Sequence, residues 1–146
     1  MLKAGLALAS VVIALLGMAS VSFRDSELPP VHRAPSLDDA PATLDECLVM
    51  LADRLPEDVV EAMRNGTEAD MIHYHHGLGT WIRNTWGLWS RGPLYSHFRD
   101  RGLEHPDDMS AVILTSFWRR LHGQPLRFEE QVQSHQAYWR RAKTRE

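Results

Sequence analysis

From Leu44 onward, apolar residues recur along this chain at intervals of three and four, and nowhere in simple alternation. That spacing lays a stripe along one face of an α-helix, whereas a half-buried strand would alternate with a period of two. Leu44, Cys47, Leu48, Leu51 and Leu55 make the first stripe. Thr43-Leu44-Asp45-Glu46 ahead of it reads as a capping box, the threonine oxygen accepting from the Glu46 N–H while the glutamate reaches back. Pro56 in a first-turn position, followed by Glu57 and Asp58, starts a second short helix with Val59, Val60 and Met63 on its apolar side. Asn65-Gly66 stops it.

Thr67, with Glu68 and Asp70 after it, caps a third and longer helix predicted to run to about Gly87. Its apolar stripe is Met71/Ile72, His75, Leu78/Gly79, Ile82 and Trp86, widened by a second row of Tyr74, Leu78 and Trp81. His73, His76, Thr80 and Arg83 fall on the opposite face. Gly77 and Gly79 in its middle each cost about 1 kcal/mol relative to alanine, so close approach by another helix or chain is expected to offset them. After the turn Ser90-Arg91-Gly92-Pro93, a fourth helix carries Leu94, Tyr95 and Phe98 and ends at Gly102. The fifth starts at His105-Pro106-Asp107-Asp108, with two acids at the positive end of its dipole. Met109, Ile113, Phe117 and Leu121, flanked by Val112, Leu114 and Trp118, make it the most apolar helix of the domain and the expected centre. Beyond Gly123 and Pro125 a last helix begins near Arg127, with Phe128, Val132, His135 and Trp139 on one side and a basic tail. The fold class is therefore all-α: a small compact bundle of about five to six helices over residues 43–146.

The first 42 residues differ in kind. Lys3 precedes an uncharged apolar run from Ala4 to Val21, and Gly17-Met18-Ala19 offers small residues where a signal peptidase would cut. The run is also nearly as long as the roughly 20 apolar residues that span a bilayer. Residues 1–22 thus read as a signal peptide or an N-terminal membrane anchor, and either way Lys3 stays inside and the remainder is exported. Residues 23–42, with Pro29, Pro30, Pro35 and Pro41 among polar neighbours, read as a Pro-rich linker. The expected location is periplasmic or extracellular, with a hold on the inner membrane through residues 4–21 if the run is uncut.

A formal charge of −3 supplies no electrostatic pull toward nucleic acid, and none is expected as a partner. One cysteine, Cys47, excludes an intrachain disulfide and a multi-cysteine zinc site, and its place in the first stripe makes it core filler.

Most unusual is Gly77-Leu78-Gly79-Thr80-Trp81-Ile82-Arg83-Asn84-Thr85-Trp86-Gly87-Leu88-Trp89, which holds three of the five tryptophans. Together with His105-Pro106-Asp107-Asp108-Met109-Ser110 it resembles a bacterial family of small domains, domain of unknown function 6794, over roughly Thr43 to Trp139. The resemblance implies a compact helical domain and carries over no catalytic residue; a histidine ahead of the glycines aligns best as His75.

Three groups of residues are candidates for chemistry. His73 and His76, three apart, would share a helix face and are weak candidates for one metal, but they lack the spacing and the glutamate of the zinc-hydrolase helix; no cofactor is expected. His75, His105 and Asp107 are weak candidates for an acid–base set, and Arg83 suits a bridge to Asp107 or Asp108 that would tie the third helix to the fifth. The tryptophans fill a core by default, since each ring buries about 150–250 Å², with Trp86 and Trp89 the ones expected to reach the surface. No nucleophile elbow or phosphate loop is present. The leading expectation is a non-enzymatic module binding a protein or peptide of the cell envelope, through Trp81, Arg83, Asn84, Trp86, Trp89 and Asp108. The competing one is a small hydrolase or metal-dependent enzyme at His75, His105 and Asp107.

Overall fold

A computed structural model describes residues 40–145, and in them the chain is helical throughout, with no strand. The apolar leader lies outside the described residues, as does all of the linker but its last three positions. No helix among the described residues is long and apolar enough to cross a membrane.

Helix α1 (Leu44–Arg54) buries Leu44, Cys47, Leu48 and Leu51 as the stripe requires. Its cap is half of the expected box: Thr43 Oγ1 accepts from the Glu46 N–H at 3.3 Å, but the Glu46 carboxylate accepts from the N–H of Ala42, one residue further back, at 2.7 Å. Helix α2 (Glu57–Asn65) has Pro56 as its N-cap residue and buries Val60 and Met63. The long third helix is not uniform. A 3₁₀ segment (Glu68–Tyr74) is overwound, a π segment (His75–Gly79) is underwound, and only α3 (Thr80–Thr85) has α-helical pitch. Thr67 starts this run, both its N–H and its hydroxyl donating to Asp70 Oδ2 at 2.7 Å. The wide turn falls where the glycines are, and the Thr80 hydroxyl donates to the His76 carbonyl inside it at 2.8 Å.

Helix α4 (Pro93–Arg99) buries Leu94, Tyr95 and Phe98. Helix α5 (Pro106–Leu121) is the axis, touching every other helical segment. It buries Met109, Val112, Ile113, Leu114, Phe117 and Trp118, together with Ser110 and Ser116. The expected close approach exists at Gly79. A methyl group there would meet Arg83 Nη1 at 3.1 Å, the Tyr74 carbonyl at 3.4 Å and Leu114 of α5 at 3.6 Å. Trp118 seals the other end of α5 by donating Nε1–H to the Gly66 carbonyl at 3.0 Å.

Helix α6 (Phe128–Lys143) differs from the rest, because Val132 is its single buried residue. It is held largely by polar contacts. Gln131 Nε2 donates to Ser116 Oγ and to the Leu126 carbonyl, and Gln136 Nε2 donates to the Gly102 carbonyl.

Candidate functional site

Two polar clusters grow from consecutive aspartates in the first turn of α5. The first is centred on Arg83, whose guanidinium is only 6% exposed. Nη1 donates to Ser110 Oγ at 2.8 Å and Nη2 to Thr80 Oγ1 at 3.0 Å, while both reach the His75 carbonyl at 3.4 Å. Nε lies 3.3 Å from Asp107 Oδ1, close enough for charge attraction, yet its N–H is not aimed at that oxygen and makes no hydrogen bond. His75 Nε2 approaches the same Oδ1 at 3.4 Å. Burial, then the neighbouring Arg83, hold the His75 imidazole below its ordinary pKa against the pull of Asp107, so near pH 7 it is neutral. The expected Arg83–Asp107 bridge between the third helix and the fifth is therefore present, with Asp107 half exposed.

Arg83 is itself a correction. A uniform α-helix would put it on the open face with His73 and His76, whereas it is buried. A long run that changes pitch twice does not keep the face assignments of a single 3.6-residue period.

The second cluster is centred on Asp108, whose side chain is 15% exposed. Oδ1 accepts from His135 Nδ1 at 2.9 Å and Oδ2 from the Trp139 indole N–H at 2.7 Å. Burial pushes the Asp108 carboxyl upward, but the bonds from His135 and Trp139 outweigh it and leave the group below the usual carboxylate range. His105 stacks on Trp139, ring centres 4.3 Å apart and planes at 18°. These residues line a cleft of about 410 Å³ between the loop before α5 and helix α6, with Glu104, Arg140 and Lys143 also on its wall. A smaller hollow of about 230 Å³ lies between the clusters, and both His75 and His135 line it.

The acid–base set His75, His105 and Asp107 is thus not brought together. His75 and Asp107 meet, but no hydrogen bond or ion pair joins His105 to either of them, and its ring belongs to the second cluster. His73 and His76 are exposed, His73 facing Asp70 at 3.9 Å and His76 set edge-on to His75. Among the described residues no group of three or more histidine, cysteine, aspartate or glutamate side chains is placed to hold a metal ion.

Of the tryptophans, Trp118 is buried and Trp81 half-buried against Trp86. Trp86 is 1% exposed, as its place on the apolar stripe required and against its candidacy for a surface patch, and its indole N–H has no partner. It ends α3, where the chain folds back and Leu88 closes over the core. Trp89 is 56% exposed, and Asn84 is exposed on α3.

Sequence reasoning missed the roles of His135 and Trp139. Their one signal was a shared helix face, which read as packing because nothing in the order of residues aims them at Asp108.

The fold and these clusters define a class: a small all-α domain wound on one central helix whose first turn organises two polar clusters. The chain belongs to the family described as Domain of unknown function (DUF6794), whose model matches residues 40–121. That range holds the whole Arg83 cluster and stops before α6, which supplies half of the Asp108 cluster. No curated protein and no solved structure matches the chain.

Proposed function

We propose that this protein is an exported, non-enzymatic interaction module that docks a protein or peptide partner of the cell envelope on the turn after α3. Trp89 is the anchor. The observation that carries this reading is a tryptophan 56% exposed directly after residues that are 1% and 0% exposed, Trp86 and Leu88. The turn beneath it is held by bonds from Leu88 N–H to the Arg83 carbonyl and from Gly92 N–H to the Gly87 carbonyl. Gly87 and Arg91 take left-handed backbone conformations in the same turn. A large aromatic side chain presented on a fixed support loses little entropy on docking, which is why tryptophan dominates interface energetics.

Asn84 in the same sequence motif is exposed, whereas Arg83, Trp86 and Asp108 serve the fold. The division of His75, Asp107 and His105 between two clusters weighs against a hydrolase centred on them. Export rests on Lys3 and the apolar run that follows it.

A photoreactive residue placed at Ser90 in cells tests the docking. One discrete crosslinked adduct that disappears with Trp89→Ala is the expected result, because Trp89 touches little of the core and its loss leaves the fold intact. Diffuse labelling that ignores Trp89→Ala overturns the reading. Recovery of the protein in the cytosolic fraction overturns export.

A further inference from the structure

The cleft between the His105 loop and α6 is separate from the Trp89 turn, and its lining has a definite chemical character. One wall is aromatic: the Trp139 ring is fixed by its N–H bond to Asp108 and covered on one face by His105. Gln136, Trp139, Arg140 and Lys143 fall at intervals of three and four, so one face of α6 carries the other polar groups into the same space. Arg140 and Lys143 side chains have no hydrogen-bond or ion-pair partner among the described residues.

Both oxygens of Asp108 are occupied, by His135 and Trp139. No hydrogen bond or ion pair joins that carboxylate to Arg140 or Lys143 among the described residues. His135 turns Nδ1 toward it, 2.9 Å from Oδ1, and Nε2 is the ring's remaining polar atom. Glu104 is the one other acid on the wall, across from α6 on the loop.

We propose that this cleft binds a phosphate monoester. Arg140, Lys143 and His135 hold the head group, and the organic group lies against the His105–Trp139 stack. Arg140 and Lys143 together present more N–H donors than a single carboxylate ligand has acceptor sites. A phosphate monoester carries about −1.5 to −2 near pH 7 and offers three acceptor oxygens. A volume of about 410 Å³ lies within the range of small-molecule sites.

The test uses full-length protein in a nonionic detergent and follows the Trp139 indole N–H by NMR as phenyl phosphate is added at fixed ionic strength. A saturable shift with a Kd of about 1 mM or tighter is expected. The double variant Arg140→Ala/Lys143→Ala, exposed at both positions, should weaken binding by about tenfold or more. Glu104→Gln, which removes the opposing charge, should tighten it. Absence of a saturable shift, an equal response to sodium chloride or benzyl alcohol, or wild-type affinity in the double variant each overturns the proposal.

Discussion

Removing Arg83 tests the reading that the first cluster fastens two helices and that Asp107 is its minor member. Arg83→Ala deletes a buried hydrogen bond to Ser110 Oγ at 2.8 Å and a part-buried one to Thr80 Oγ1 at 3.0 Å, at about 1 kcal/mol each. It also empties the space of a side chain only 6% exposed, which adds about 1–2 kcal/mol through lost packing. Ser110 and Thr80 keep partners for their own protons, the carbonyls of Asp107 and His76, so little further penalty arises from orphaned donors. The expected loss is about 3–4 kcal/mol, or a fall in Tm of roughly 15–20 °C for a domain of this size.

Asp107→Ala should cost about 0.5–1 kcal/mol. Its carboxylate is half exposed, so water screens it, and the Arg83 Nε–H is not aimed at it. Urea unfolding of both single variants and the double variant, with m-values compared, gives the coupling directly. A loss for Asp107→Ala equal to that for Arg83→Ala, or an Arg83→Ala loss below about 1 kcal/mol, refutes the reasoning.

Gly79→Ala should lower stability by about 1 kcal/mol despite the gain in helix propensity. The new methyl meets Arg83 Nη1 at 3.1 Å, and that nitrogen is pinned by Ser110 and cannot retreat; thermal melts decide the sign. Stability should also fall in two stages on acidification. His75 and His97 have folded pKa values depressed by burial first and by neighbouring arginines second. The unfolded chain therefore binds more protons, and stability falls as pH drops from about 6.5.

Glu68 is lowered chiefly by its hydrogen bonds from Arg119, at 2.7 and 2.8 Å, and Asp108 is lowered as well. Their stabilisation is present above about pH 4 and lost below it, as denaturation followed by circular dichroism should show. Burial pushes the Cys47 thiol well above its ordinary pKa. A thiol reagent should accordingly label it only as fast as the domain unfolds, and labelling of native protein within seconds would contradict its place in the core.

The helices and the core were legible in the order of residues. Leu44 to Leu51 and Met109 to Trp118 repeat at helical intervals, and a stripe of that kind has one way to leave water. Glycine inside a helix also called for a close neighbour, and a lone arginine for an acid at the start of the fifth helix, without choosing Asp107 over Asp108. Which side of the third helix faced inward was not legible there. The change from 3₁₀ to π to α pitch across Glu68–Thr85 rotates each successive residue by an amount that no fixed period describes. Arg83 and Trp86 went inside, and Trp89 was left in water. Tertiary structure alone also separated Asp107 from Asp108. As neighbours on one turn they point about 100° apart, so one faces Arg83 and His75 while the other faces His135 and Trp139 from a helix twenty residues further on. Such a meeting depends on how α6 lies against α5, a fact of packing that no local stretch of sequence contains.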